Sequence, residues 1–325
     1  MKGLGSLAIR DLEAILVLAR TLHFGRAAEE SGIAQASLSA LVKRVEQALR
    51  TRIFERTSRS CELTPQGVFV VEAIEKLMRT LGDLEKVNDE PGTLRGAIRL
   101  GFIPTLGPYL VPHLLPALTR AFPDARFFFF EALTEQLIGM LRARRVDAGF
   151  LSFPSRGEAL AEFPLFEEEL LLALPQNHRL SQRPRIAHVE IPRDELILMD
   201  HGHCLRDHTL QVCGEGAISA APVHATSIET LRFMVASGVG CAILPALSVH
   251  NTTGPAADLV TYRKFEDPVP TRTIGLVTRT EAEAQRLAAP LIEVAGKLHL
   301  PNVLVEEELG VPGGSDLGKN LQLMR

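Results

Sequence analysis

The sequence predicts a multi-domain α+β chain, with a small helical module at the N-terminus, one linker helix and a larger α/β body. Three observations predict it. The 325 residues are more than twice the usual single-domain length, so two or three cores are expected. Residues 1–65 hold ten Lys/Arg against seven Asp/Glu, a balance of +3, and the remainder of the chain carries −7, for a net charge of −4. The hydrophobic pattern changes at Pro91-Gly92 from helical spacing to alternating strand and helix runs.

Composition excludes several classes. With 46% hydrophobic and 23% charged residues the chain lacks the signature of disorder, and it shows no repeat period. No stretch reaches the roughly 18 apolar residues of a membrane span, and no basic leader with an apolar run opens the sequence. A cytoplasmic chain without a membrane partner is expected. The four cysteines, Cys61, Cys204, Cys213 and Cys241, are too few for a disulfide framework. In a reducing compartment they are expected as thiols, redox centres or metal ligands.

From Ile9, the residues Leu12, Ile15, Leu16, Leu18 and Ala19 recur at helical spacing and predict a first helix ending near Leu22. A second helix is expected from about Gly25 to Ser31, with Gly32 as the turn residue, and a third from about Ala36 to Leu49. Ala28, Gly32 and Leu38 place a small residue at a helix crossing, a glycine in the turn and an aliphatic core residue beyond it. That is helix-turn-helix spacing, although any helical hairpin can contain it. The third helix opens with Gln35, Ser37 and Ser39, suited to base edges in a major groove, followed by Lys43 and Arg44, suited to phosphates. The alternating stretch from Arg52 to Arg59, which includes Arg56, suits a wing flanking the helix. Such charge runs are usually solvated faces, and here it is the place directly behind a reading helix that favours phosphate and minor-groove contact. Cys61, with no His or Cys neighbour, reads as structural.

The segment from Ile9 to about Gly67 resembles the winged helix-turn-helix of LysR-type transcriptional regulators. The resemblance is carried by Phe24-Gly25-Arg26-Ala27-Ala28, by Leu38-Ser39, and by Phe54-Glu55-Arg56 running to Leu63-Thr64-Pro65-Gln66-Gly67. One departure is Ala34-Gln35-Ala36-Ser37, where that family usually has Ser-Gln-Pro before Thr or Ser. The resemblance implies a regulator, not an enzyme, that binds double-stranded operator DNA as a homodimer or homotetramer and works with RNA polymerase.

Between Pro65 and Asp89, Val68, Val71, Ile74, Leu77, Met78, Leu81 and Leu84 form an apolar stripe on one long helix. Beside so small a module the stripe is expected to pair with the same helix of a second subunit. Beyond Pro91-Gly92 come Ala97–Phe102, Tyr109–Ala121, Arg126–Glu131, Glu135–Arg144 and Val146–Leu151, a βαβαβ run that predicts a parallel sheet. Phe127 to Phe130 are expected as buried strand core. A second α/β stretch covers about Glu168 to Glu266, and Arg272–Val277 with a helix near Glu281–Leu298 returns to the first half. Two α/β lobes crossed twice by the chain is a periplasmic-binding-protein-like layout. The domain reading is therefore 1–67 for the winged helix-turn-helix, 68–91 for the linker, 92–300 for the two-lobed regulatory domain and 301–325 for a flexible tail. Thr105, Thr134 and Ser227 follow strands or open helices, each able to act as an N-cap, and together they are expected to converge on one cleft.

The chemically dense segment is Asp200-His201-Gly202-His203-Cys204-Leu205-Arg206-Asp207-His208, followed by Cys213. Cys204 lies at a predicted helix start, where the helix dipole and a neighbour such as Arg206 or a protonated His would lower its pKa. Three readings stand side by side. His201, His203, Cys204 and His208 offer zinc ligands, but crowded and without a Cys-x-x-Cys pair; a structural thiol is the second; a redox-active thiol, the third, fits the polar helix start.

The stretch Gly202 to Asp207 with Cys213, Ala225-Thr226-Ser227-Ile228-Glu229-Thr230-Leu231-Arg232 and Leu244-Pro245-Ala246-Leu247 resembles the peroxide-sensing branch of the LysR family. Ile103-Pro104-Thr105, Gly107-Pro108-Tyr109 and Arg272-Thr273-Ile274-Gly275-Leu276 match the same branch, so the likeness runs from about Ile9 to Leu298. It implies that Cys204 reacts with hydrogen peroxide, that Cys213 resolves the product as a disulfide, and that Thr105, Thr134, His203 and Arg272 line the peroxide pocket, with no cofactor and no metal. The departures are His208, where a Gln is usual, and the long tail after Leu300. Nine residues separate the two cysteines, so on a continuous helix their Cα atoms would lie roughly 13 Å apart, against the about 4.4–6.8 Å of a disulfide. The helix would have to unwind. The alternative function is a LysR-type regulator whose inter-lobe cleft binds a small organic co-inducer; a thiol peroxidase or zinc hydrolase is a third class, for which the N-terminal module has no use.

Overall fold

The computed structural model describes residues 7–56, 61–85, 92–155, 160–214, 223–249, 258–280, 284–301 and 303–305. The chain divides into two compact units, Met1–Asp89 and Glu90–Arg325.

The first unit contains α1 (Ile9–Thr21), α2 (Phe24–Glu30), α3 (Gln35–Leu49), the antiparallel pair β1 (Phe54–Arg56) and β2 (Cys61–Leu63), and α4 (Pro65–Glu85). The three expected helices form within a residue or two of their predicted ends. Leu22 closes α1 in the left-handed conformation at φ 48°, and Gly32 makes the turn between α2 and α3. Ile15, Leu18, Ala28, Leu38, Val42, Val45 and Ile53 form its core. The linker stripe behaves differently from expectation. Ile74 is buried and Val71 and Met78 pack on the unit's own core, while Val68 and Leu77 stay exposed. α4 lies mainly against α1, whose residues Leu12, Leu16, Val17 and Ala19 are only partly buried and pack on the same core, and this home contact covers part of the stripe.

The second unit opens with β3 (Gly96–Phe102), α5 (Gly107–Ala121), β4 (Ala125–Glu131), α6 (Thr134–Arg142) and β5 (Ala148–Ser152), in which β3 pairs in parallel with both β4 and β5. Next comes β6 (Ala161–Pro175), then β7 (Arg185–Ile186), β8 (Leu198–Met199), α7 (Cys204–Cys213), β9 (His224–Ala225), α8 (Ile228–Ala236), β10 (Ala242–Pro245) and the short α9 (Ala246–Val249). The described chain continues with β11 (Val260–Phe265), β12 (Thr271–Thr278), α10 (Ala289–Gly296) and β13 (Val303–Val305).

The second lobe was expected to begin near Glu168. Instead, one fifteen-residue strand, β6, serves both lobes: Ala161–Glu169 pairs with β12 and Leu170–Pro175 with β10 and β11. The chain returns through β12, so the two expected crossings are present. Leu100, Phe102, Leu110, Phe150 and Leu276 belong to the first lobe's core, and Leu172, Leu198, Leu205, Leu231 and Phe265 to the second's.

Two further expectations are corrected. β4 is the sheet edge, so its alternation leaves Phe128 and Phe130 exposed at 47% and 37%, with only Phe127 and Phe129 packed inward. At the start of the tail read as flexible, residues 303–305 form β13 and pair antiparallel with β6 at Phe166–Glu168, on backbone that β10 and β11 leave free, while residues 306–325 lie outside the described residues.

Candidate functional site: a thiol against a buried ion pair

β8 ends at Met199, and the chain turns through Asp200–Gly202 into α7. Gly202 sits at φ 88°, and a Cβ there would lie 3.0 Å from Leu133 Cδ1. A side chain would be strained twice over, so glycine lets the turn close on the residue that precedes α6. His203 is the N-cap residue of α7 and Cys204 its first residue.

Cys204 meets the first lobe directly. Its Sγ is 3.8 Å from Thr105 Oγ1, in the segment between β3 and α5. Arg272 of β12 donates from Nη1 to Thr105 Oγ1 at 3.0 Å and from Nη2 to the Thr105 carbonyl at 3.1 Å. The same guanidinium donates from Nε to Glu168 Oε2 at 2.9 Å, and both side chains of this ion pair are fully buried. Glu168 Oε1 accepts the Leu247 N–H of α9 at 2.7 Å. Two charges taken out of water hold each other in one geometry, and the free edge of the guanidinium fork is aimed at Thr105, beside the sulfur.

Sequence reasoning placed Thr105, Cys204 and Arg272 together, and the structure does so. Thr134 opens α6 one residue after Leu133, and its buried Oγ1 has no hydrogen-bond partner among the described residues; His203 Nδ1 is in the same condition. These two unsatisfied groups flank the Leu133–Gly202 contact. Ser227 takes the N-cap role open to each of these hydroxyls, accepting the Thr230 N–H at the start of α8 at 3.1 Å and donating to Thr230 Oγ1 at 2.9 Å. Cys213 ends α7, buried in the second lobe, where burial pushes its thiol up to about 11. With α7 continuous, nine residues of rise put the two cysteines at opposite ends, roughly 13 Å apart.

The expected electrostatics need correction. Burial pushes the Cys204 thiol up, and the Arg272 charge and the Thr105 hydroxyl work against that shift. Arg206 does not take part. Two residues along the helix it points away, donating to the Met199 carbonyl at 3.0 Å and lying 3.5 Å from His224 Nδ1. Nor is either nearby histidine a cation at neutral pH: burial lowers the pKa of His203, and burial together with Arg272 lowers that of His208 to about 4. His208 Nε2 lies 3.4 Å from Ser152 Oγ. Among the described residues no group of three or more His, Cys, Asp or Glu is arranged to hold a metal, and no helix is long and apolar enough to cross a membrane.

Glu168 was missed. The signal was present in Leu165-Phe166-Glu167-Glu168-Glu169-Leu170, three carboxylates inside an apolar strand, of which the middle one shares the inward phase of Phe166 and Leu170.

In the first unit, Gln35, Ser37 and Lys43 are exposed on α3 and Ser39 is half-buried. Arg44 was expected on phosphate, but its Nη2 donates to Asp11 Oδ1 at 2.6 Å and ties α3 to the start of α1. Glu46 Oε1 accepts the N–H groups of Ile53 and Phe54 at 2.8 and 3.1 Å, fastening the wing to α3. Arg56 closes β1, and Arg59 lies outside the described residues.

Residues 9–68 match the bacterial regulatory helix-turn-helix proteins of the lysR family, and residues 91–298 match the LysR substrate binding domain. The hydrogen peroxide-inducible genes activator of Pectobacterium carotovorum subsp. carotovorum is 39% identical over 273 residues, which are 83% of this chain and 90% of that protein. A full-length OxyR variant from Pseudomonas aeruginosa has a similar structure, with a TM-score of 0.67 and 30% identity over 90% of this chain and 96% of that one. A mutant OxyR of Corynebacterium glutamicum bound to H2O2 follows, with a TM-score of 0.62 and 25% identity over 89% and 91% of the two chains. Both units are matched along nearly their whole described length, and this chain belongs to the LysR family of transcriptional regulators, with OxyR proteins as its relatives.

Proposed function

We propose that this chain is a cytoplasmic, homo-oligomeric regulator that binds operator DNA through its first unit and switches when Cys204 reacts with hydrogen peroxide, controlling oxidative-stress genes. The observation that carries the reading is the bracketing of Cys204 Sγ by the Thr105 hydroxyl and, through it, the Arg272 guanidinium. The name of its P. carotovorum relative, an activator of hydrogen peroxide-inducible genes, and the H2O2-bound state of the C. glutamicum mutant support it.

The chemistry follows from the site. The Cys204 thiolate attacks one peroxide oxygen; the O–O bond breaks, an S–O bond forms, and sulfur loses two electrons to the peroxide. The other oxygen leaves as hydroxide and takes up a proton to become water. Arg272 suits the charge that develops on that oxygen, Thr105 and Thr134 suit the orientation of the peroxide, and neutral His203 suits hydrogen bonding. Burial pushes the thiol up, and the Arg272 charge and the Thr105 hydroxyl favour the thiolate against it. The Cys204 sulfenic acid then condenses with the Cys213 thiol, releasing water and forming the disulfide. That step requires α7 to unwind, since its two ends are too far apart to bond. Repacking of α7 is the conformational signal to the operator and to RNA polymerase.

Footprinting of reduced and peroxide-treated protein on operator DNA tests the reading. A changed footprint in the wild type that is lost in Cys204→Ser is expected, and Cys213→Ser should stop at the sulfenic acid or a mixed disulfide. A footprint indifferent to peroxide but responsive to a small organic ligand would move the function to co-inducer sensing, and sustained peroxide consumption with a dithiol reductant would make the chain a peroxidase.

A further inference from the structure

Glu168 binds Arg272 with one oxygen, and with the other it accepts the Leu247 N–H, which belongs to the four-residue helix α9. The next residue of α9, Ser248, is held from the opposite side, because Arg232 of α8 donates from Nη2 to its carbonyl oxygen. Arg232 is itself buried, and its Nη1 lies 2.6 Å from both carboxylate oxygens of Glu229. Glu229 Oε1 in turn accepts the Tyr109 hydroxyl at 2.9 Å. Tyr109 stands on α5 of the first lobe, four residues beyond Thr105, and packs against the cores of both lobes. The links therefore form a closed ring: Thr105, Arg272, Glu168, α9, Arg232, Glu229, Tyr109 and back through the start of α5 to Thr105, just ahead of that helix. The links at Glu168, Arg272, Thr105 and Ser248 are buried, where geometry is held stiffly, while Glu229, 53% exposed, and the half-buried Tyr109 close the ring at the surface.

We infer that Arg232 is a positioning residue for the peroxide reaction, and that Tyr109 and Glu229 brace it across the lobes. A helix of four residues has little stability of its own. The placement of the Leu247 N–H thus depends on what holds Ser248, and the Glu168 carboxylate that sets the Arg272 fork depends on that N–H. Loosening Arg232 lets Glu168 and Arg272 relax away from Thr105, which removes the charge that opposes the burial shift of Cys204. The inference rests on Cys204 being the peroxide-reactive thiol, and the test separates the two.

The test uses full-length reduced protein and follows Cys204 by peptide mass spectrometry, measuring its peroxide reaction rate and the pH midpoint of its alkylation. Arg232→Met is expected to slow the peroxide reaction by about tenfold and raise the alkylation midpoint, less than the roughly hundredfold that a misplacement of about 1 Å in a reacting site can cost. Arg232→Lys, which keeps the charge and one bond to Ser248, should recover part of both. Tyr109→Phe, which removes only a hydroxyl, should act in the same direction by about threefold, consistent with one hydrogen bond to a carboxylate that is screened by solvent. If Arg232→Met fails to fold, Tyr109→Phe and Arg232→Lys decide the matter. Variants that react within twofold of the wild type, with an unmoved alkylation midpoint, overturn the inference. A wild-type Cys204 that peroxide leaves unmodified overturns the reading of the site instead.

Discussion

Replacing Glu168 with Gln keeps the size of the side chain and an acceptor for Leu247, but removes the counter-charge of a guanidinium with no exposed surface. Breaking a buried pair from one side costs about 3–5 kcal/mol, because the remaining ion is left uncompensated. For a domain of this size each kcal/mol lowers the melting temperature by about 2–4 °C, so Glu168→Gln should melt roughly 6–20 °C below the wild type. Calorimetry of the reduced full-length protein reads this, with the N-terminal unit's own transition as an internal control. A second prediction is built into the same residue: the Arg272 fork loses its anchor, so the reaction of Cys204 with peroxide should slow in parallel. The double variant Glu168→Gln with Arg272→Met removes both charges and should recover part of the lost stability while leaving Cys204 slow, since packing tolerates the missing pair but the chemistry does not. A melting temperature for Glu168→Gln within about 2 °C of the wild type, or a double variant less stable than Glu168→Gln, would refute the account of this pair.

Other expectations follow from the two units. Lys43→Ala should weaken operator binding and lower the slope of log affinity against log salt by about one, and Arg56→Ala should do the same. Arg44→Ala should in addition lower the stability of the first unit by up to about 1 kcal/mol, because its guanidinium holds Asp11; equal stability and an equal slope in equilibrium binding would count against that assignment. Gly67→Ala would bring a Cβ to 2.0 Å from the Ile53 carbonyl oxygen, and the first unit should lose about 3 kcal/mol or more in thermal or urea unfolding. His208 is held neutral by burial, with its pKa lowered to about 4. The unfolded chain binds that proton at about 6.5, so the stability His208 contributes is complete above that pH and is lost as pH falls towards 4. His208→Gln should therefore flatten melting temperature against pH in that window, and parallel curves for the two proteins would exclude the histidine as the cause.

Much of this molecule was legible in its residues. Ala28, Gly32 and Leu38 by themselves fit any helical hairpin, and it was Gln35, Ser37, Lys43 and the basic stretch from Arg52 to Arg59 behind them that made the pattern legible as a helix-turn-helix. The βαβαβ order of the first lobe followed from the change of hydrophobic period, and Gly202-His203-Cys204 announced a helix start rich in chemistry. These are local signals, carried by residues within a few turns of one another. The ionisation state of Cys204 was not local. It depends on desolvation and on Arg272, which lies 68 positions away and reaches the thiol only because β12 runs back beside β6. Arg206, adjacent in sequence, points elsewhere because two steps along a helix turn a side chain to another face. Glu168 was unreadable as a partner for the same reason: alternation marks it as inward, but only the pairing of β6 with β12 says which cation it meets there. The N-terminal fold and the place of Cys204 at a helix start were determined by the sequence by itself; the field around that thiol was decided by tertiary structure, since burial and long-range charge exist only once the chain has folded.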